Sequence, residues 1–116
     1  MAEAVLIYIT HDDRAKAKEL GRALVEERLV ACVNLLGPMT PIYRWEGEIC
    51  EGEEVVIIAK TRASLVAEVT SFVRERHGYD CPCVVALPVV DGNPDYLRWI
   101  EQETREPLGQ TVVSSP

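Results

Sequence analysis

The sequence predicts an α+β fold of the ferredoxin-like, split βαβ class. In this fold one antiparallel sheet is covered on one face by two helices, and here a further helix follows (βαββαβ plus a C-terminal helix). Four short apolar runs rich in β-branched residues predict the strands, and two amphipathic stretches between them predict the helices. Two βαβ units in tandem give this arrangement, and their right-handed crossovers place both helices on the same face.

The first unit begins with residues 5–9 (VLIYI), a continuous apolar run that predicts a strand buried on both faces. Asp12 or Asp13 can cap the following helix, predicted within residues 14–28. The apolar positions of that stretch recur at helical spacing, so one face should lie on a sheet. They are Ala17, Leu20 and Leu24.

The second strand is predicted at residues 30–36 (VACVNLL), and Gly37 with Pro38 should interrupt it as a bulge or bend. Extended structure should then resume and run to Glu46. Two glycines, Gly47 and Gly52, bracket EICE and favour a hairpin there. The strands at 30–46 and 54–61 are expected to form one long hairpin.

The second unit consists of the strand at 54–61 (EVVIIAKT), a helix capped by Ser64, and a strand at 83–87 (CVVAL). Gly78 is placed where a helix C-terminal glycine belongs. The buried stripe of the helix should comprise Leu65, Val69, Phe72 and Val73. Asn93 and Pro94 predict the start of the last helix. After residue 103 a short strand is expected at 111–113, and no other regular structure is predicted.

Composition limits the function. The 116 residues fit one domain, spanning 1–116 with a core at about 5–103 and a tail at 104–116. A net charge of -7 disfavours nucleic acid as a partner. Neither a signal peptide nor a membrane span is predicted, so we expect no membrane partner and a cytoplasmic location with reduced cysteines. Without a phosphate loop, HExxH or nucleophile motif, no enzyme is expected.

Strands that are apolar on both faces, with one helical layer, leave one face of the sheet uncovered. This pattern predicts oligomerisation through the open face.

Several segments resemble the CutA family of divalent cation tolerance proteins. They are ACVNLLGPMTPIYRWEGEI at residues 31–49, KT at 60–61, HGYDCP at 77–82, ALPV at 86–89 and YLRWI at 96–100. The resemblance implies a ferredoxin-like subunit in a tight homotrimer, similar to the PII signalling trimers with their ligand clefts between subunits. It also implies a link to tolerance of copper and other divalent ions. The chain departs from the family pattern at Gly78, where proline is usual, and at Cys83, where glutamate is usual.

The candidate metal ligands are His77, Cys81 and Cys83. Imidazole and thiolate are ligands of transition metals. In an extended segment, residues two positions apart have side chains on the same side, so the two thiols could share a face. Cys83 in place of a carboxylate would favour a soft ion such as copper. The alternatives are a histidine that contacts the carbonyls ending the helix and two small residues entering a strand. His11 beside Asp12 could also bind a metal ion at the surface, although this spacing is not diagnostic of a metal site.

Lys60, Tyr79, Tyr43 and Trp45 are the candidates for an inter-subunit cleft. Lysine at the end of an apolar strand must reach solvent, an acid or an anion. Arg44 and Trp99 are expected at the trimer interface, since arginine and aromatic residues are enriched there. Cys32 is expected in the core and Cys50 near the hairpin surface. Three functions stay open: a trimer that binds divalent or copper ions, a PII-like sensor of a small anionic ligand, and a trimeric scaffold.

Overall fold

A computed structural model describes residues 3–108 of the chain. The strands are β1 (Ala4–His11), β2 (Cys32–Met39), β3 (Ile42–Trp45), β4 (Glu48–Glu51), β5 (Glu54–Arg62) and β6 (Val84–Pro88), and the helices are α1 (Arg14–Glu26), α2 (Val66–Arg76) and α3 (Pro94–Glu103). The main sheet has the order β2-β5-β1-β6, and every neighbouring pair is antiparallel. This confirms the predicted split βαβ fold. No helix within residues 3–108 is long and apolar enough to span a membrane.

One hydrophobic core lies between the sheet and the two crossover helices. The centre of the sheet supplies Ile7, Ile9, Ile57 and Ala59, all fully buried. The predicted stripe of α1 is confirmed, and α2 adds Val69 and Val73 with Phe72 packed partly buried against them. Leu65 is buried in the 3₁₀ turn Ala63–Leu65 that precedes α2.

Truncation in this core should be costly. Leu24 on α1 is fully buried, so Leu24→Ala should lower the free energy of unfolding by about 2–5 kcal/mol through lost burial and a residual cavity. The neighbouring Val25 is 38% exposed, and Val25→Ala should change stability by only about 0.5 kcal/mol. Urea unfolding at one protein concentration measures both. Equal losses in the two variants would mean that the helix does not pack as described.

The opposite face of the sheet is covered only at one end, where Ile100 of α3 packs with Ala4, and elsewhere within residues 3–108 its apolar side chains have no layer over them. The register places Asn34, Ile58, Tyr8 and Val85 side by side in one row across the four strands. Val85 is 52% exposed, and Leu36 and Leu87 on the two edge strands are 49% exposed. The two crossover helices therefore cover one face, as predicted, while α3 leaves most of the other face exposed.

The hairpin β3–β4 forms a second, two-stranded sheet, referred to below as the arm. Its two-residue turn, Glu46 and Gly47, has φ of 50 and 82, which is the left-handed pair required by a type I′ turn. Its exposed apolar side chains are Ile42, Tyr43, Trp45 and Ile49.

The arm corrects the prediction of one continuous long hairpin. The pairing of β2 with β5 shifts register between Leu36 and Met39, at the predicted bulge. Gly37 has φ 149, and a Cβ there would lie 3.0 Å from Val55 Cγ1, so the bend needs glycine. Pro38 has no N–H for the ladder. The main sheet therefore ends, and the chain pairs with itself in the arm.

The helix termini are partly as predicted. Asp13 caps α1 by accepting a hydrogen bond from the Lys16 N–H (3.0 Å), and Asn93 caps α3. Ser64 as the cap of α2 is wrong, because Ser64 lies inside the 3₁₀ turn. Gly78 directly follows the C-cap His77, where a helix C-terminal glycine was predicted, but it does not adopt a positive φ. The strand expected at 111–113 lies outside the described residues.

Candidate functional site

His77 closes α2 and is held by the end of β1. Its side chain is buried, and its Nε2 lies 2.7 Å from the Thr10 carbonyl oxygen. The Tyr79 N–H donates to Nδ1 at 3.2 Å. Nδ1 is therefore the acceptor and Nε2 carries the proton that goes to Thr10. Both ring nitrogens are engaged within the subunit, so coordination of a metal would break one of these bonds.

His11 stacks on His77, with ring centroids 4.1 Å apart and planes inclined by 23°. The expectation of His11 at the surface is wrong, because the residue is 2% exposed. Its Nδ1 accepts the Asp13 N–H at 3.1 Å and lies 3.3 Å from Asp12 Oδ1. Burial, and secondarily the neighbouring His77, lowers the pKa of His11. The pair was missed because the two histidines lie far apart in sequence and only the packing of α2 against β1 joins them.

This buried histidine predicts a pH dependence of stability. Because the pKa of His11 is lowered in the folded state, the unfolded chain takes up its proton at the higher, ordinary pKa of 6.5. The contribution of His11 is therefore fully present above the ordinary pKa of 6.5 and is lost as the pH falls through that value towards the lowered pKa of the folded state. Urea unfolding across this range should show stability falling with acidity, with a shallower slope in His11→Gln. The same slope in both proteins would contradict the assignment.

Tyr79 links this histidine pair to an open cavity. Its hydroxyl donates to Glu54 Oε2 at 2.9 Å, and its ring packs against His77 with centroids 4.5 Å apart. Burial and the Glu54 carboxylate raise the pKa of Tyr79 strongly. The cavity is about 620 Å³ and is lined by Tyr8, Thr10, Met39, Pro41, Ile42, Tyr43, Trp45, Glu54, Tyr79, Cys81 and Cys83.

The two predicted thiol ligands share this cavity. Cys81 and Cys83 both line it, and both are free and exposed. Burial of its sulfur and the nearby Glu54 raise the pKa of Cys83, while a hydrogen bond with Thr10 acts in the opposite direction. The raised pKa favours the protonated thiol of Cys83, so a metal that binds its sulfur must displace the proton.

The structure does not join His77 to these thiols. Within residues 3–108 no group of three or more His, Cys, Asp and Glu side chains is arranged to hold a metal ion. The prediction that His77, Cys81 and Cys83 form one ligand set therefore does not hold for a single subunit, because the imidazole is used to fix β1 and the loop after α2. Two thiols are what one subunit offers.

The predicted cleft residues divide into two groups. Tyr43, Trp45 and Tyr79 line the cavity, whereas Lys60 lies near the other end of β5. There Lys60 Nζ donates to the Tyr96 hydroxyl at 3.2 Å, and this hydrogen bond raises the pKa of the amine. Lys60 can join the cavity residues only from a neighbouring subunit, so that part of the prediction stays a prediction.

Cys32 and Trp99 both contact Tyr96, the residue to which Lys60 is hydrogen-bonded. Cys32 was expected in the core, but its side chain lies on the open face, where Sγ is 3.7 Å from the Tyr96 hydroxyl. Trp99 packs on Tyr96 with centroids 5.4 Å apart and remains 37% exposed.

Arg44 is exposed on β3 of the arm. Cys50, on β4, is half-buried.

A family model described as "CutA1 divalent ion tolerance protein" matches residues 5–103. The chain belongs to the CutA1 divalent ion tolerance family. Human Protein CutA is 48% identical over 109 residues, which are 94% of this chain and 60% of the human protein. The divalent-cation tolerance protein CutA of Thermus thermophilus is 40% identical over 104 residues, 90% of this chain and 99% of its own length.

Solved CutA1 structures share the fold. The crystal structure of CutA1 from Oryza sativa superimposes with a TM-score of 0.88 at 37% identity, covering 90% of this chain and 96% of that one. This CutA1 chain spans about 55–60% of the length of the mouse and human relatives it matches. The family identified from the sequence motifs is thus confirmed, and with it the α+β antiparallel architecture.

Proposed function

We propose that this divalent-cation tolerance protein works as a cytoplasmic homotrimer that binds copper or another divalent ion and catalyses no reaction. The observation that carries the proposal is the pair of exposed thiols, Cys81 and Cys83, on the wall of one cavity. The name of the family supports a relation to divalent ions in general. The cytoplasm is the compartment in which such thiols stay reduced, and fractionation of cells that express the protein tests that location.

The trimer is supported by the uncovered face of the sheet and by the arm. Exposed apolar side chains on this face, including Leu36, Val85 and Leu87, form a surface of the kind that association removes from water. The arm adds aromatic and arginine side chains beyond the main sheet, Trp45 and Arg44 among them, which suit an interface core.

The thiols fit a soft ion better than a hard one. Sulfur ligands select copper(I) and zinc, whereas magnesium and calcium require several oxygens. Two thiols can hold copper(I), but they leave the ligand set short of the four that zinc takes. We assign the missing ligand to a neighbouring subunit or to solvent, since His77 would have to give up its bond to Thr10 or Tyr79.

Copper titration of the reduced protein tests the proposal. We expect saturable binding with a fixed ratio of copper to subunit, measured by competition with a chromogenic copper(I) chelator. Magnesium should not compete. Binding without a defined stoichiometry, or equal competition by magnesium, would contradict a thiol site.

A second candidate is a PII-like sensor or signalling trimer, which the size of the cavity favours. At about 620 Å³ it falls within the range of small-molecule sites. An anionic ligand would need a cation from a neighbouring subunit, and Lys60 is the predicted one. A thermal-shift screen with nucleotides and carboxylates should then give a hit that Lys60→Ala removes. A scaffold with no ligand predicts a stable trimer that responds to neither metal nor metabolite.

A further inference from the structure

The segment that carries the two thiols has little regular structure to hold it. Helix α2 ends at its C-cap, His77, and β6 begins only at Val84. Between these elements, residues 78–83 make no backbone–backbone hydrogen bond within the described part of the chain. The placement of the thiols therefore depends on the bonds that side chains make.

Tyr79 ties this segment to the end of α2 and to the start of β5. Its N–H donates to His77 Nδ1 at 3.2 Å, and its hydroxyl donates to Glu54 Oε2 at 2.9 Å. Burial, and then the Glu54 carboxylate, raises the pKa of Tyr79, so the hydroxyl keeps its proton and remains the donor. A hydrogen bond to an ionised carboxylate is roughly twice as strong as one between neutral groups.

Both bonds join parts of one subunit. Glu54 and Tyr79 are half-buried, and Tyr79 stands two positions before Cys81 in the chain. Neither bond uses a group of another chain, so both are present whether or not a neighbouring subunit covers the cavity. The hold on the thiol segment is thus a property of the fold itself.

We propose that Tyr79 and Glu54 are positioning residues of the thiol site, whose hydrogen bond fixes residues 78–83 so that both sulfurs can bind one soft ion. The proposal rests on the thiol site proposed above. Groups that orient metal ligands without touching the metal contribute about 10–100-fold to affinity. A segment fixed in advance also lowers the ordering cost of binding. Glu54 acts through Tyr79, because Oε2 already accepts the phenol proton and copper(I) prefers sulfur to carboxylate oxygen.

The first test is copper(I) affinity, measured by chelator competition under reducing conditions. Tyr79→Phe keeps the ring that packs on His77 and loses only the hydroxyl, so affinity should fall by about tenfold or more. Glu54→Ala should cause the same loss. The double variant should lose no more than either single variant, because both substitutions remove one bond.

Glu54→Gln separates positioning from charge. The amide loses the negative charge but keeps an oxygen that accepts the phenol proton, so it should recover most of the affinity lost in Glu54→Ala. Glu53→Ala, at the exposed neighbour, should bind copper as the parent does. Equal losses in the two Glu54 variants, additive losses in the double variant, or unchanged affinity in Tyr79→Phe would each overturn the proposal.

Phenylarsine oxide provides a probe of the thiols that needs no copper. It condenses with two neighbouring thiols: two As–S bonds form, and the oxygen leaves as water with both thiol protons. We expect the parent to bind it and the variants to follow the same order of affinity, with the Cys81→Ser/Cys83→Ser protein as the blank. This order without copper binding would refute the copper site alone. Equal arsenical binding in the parent and Tyr79→Phe, or none in the parent, would refute the positioning role.

Discussion

Val85→Glu should abolish the proposed trimer and leave a monomer. Val85 lies on the open face of the sheet beside Tyr8 and is 52% exposed in the isolated subunit. A glutamate there is solvated in the monomer and so should leave the subunit folded. In a trimer closed through this face, each of the three carboxylates would be buried without a partner, which costs about 3–5 kcal/mol apiece.

Sedimentation velocity measures this result, and Val25→Glu supplies the matched control. Val25→Glu is the same substitution on α1, in the helical layer, where Val25 is 38% exposed. That variant should sediment as the parent does. If the Val85 variant sediments as a trimer at micromolar concentration, the interface lies on another surface. Dissociation of both variants would indicate a general effect of the added charge.

Cys81→Ser/Cys83→Ser should remove copper binding. Loss of partners that only support a metal ligand weakens metal affinity by about 10–100-fold, so loss of two direct ligands should weaken it by at least about 100-fold. Serine keeps the size of the side chain and leaves the cavity open. Chelator competition measures the affinity, and circular dichroism verifies that the variant is folded.

The matched control is Cys50→Ser, which removes a half-buried thiol of the arm outside the cavity lining. Copper affinity should not change in this variant. His77→Ala makes a separate distinction: it should destabilise the fold, because the Thr10 carbonyl and the Tyr79 N–H lose their partner, while the copper stoichiometry persists. Stoichiometric copper in the double serine variant would show that the thiols are not the ligands.

The fold was predictable because its signals are local and repeated. The apolar periods of β1, α1 and α2 and the cap at Asn93 each identify an element without reference to the rest of the chain. The arm was not separated from the main hairpin, because the register shift after Leu36 depends on how β2 meets β5. Ser64 was wrongly predicted as the cap of α2 because a 3₁₀ turn, which contains Ser64, precedes that helix.

The site was only partly predictable, since it depends on distances between separate elements. Three residues of the motif HGYDCPC, Tyr79, Cys81 and Cys83, line one cavity, although the sequence had assigned the tyrosine and the thiols to different sites. It also suggested His77 as a ligand, although the structure uses both imidazole nitrogens to hold Thr10 and Tyr79. The stack with His11 and the hydrogen bond to Glu54 join residues from β1 and β5, and no spacing in the sequence reports such contacts.

Native mass spectrometry of the protein, purified under reducing conditions and supplied with copper(I), reports assembly and bound metal together and therefore tests the proposed copper-binding trimer. We expect a single species of three chains that carries copper in a fixed ratio. The same species from the Cys81→Ser/Cys83→Ser protein should appear without copper. A monomer, or a trimer whose copper content is the same with and without the two thiols, would contradict it.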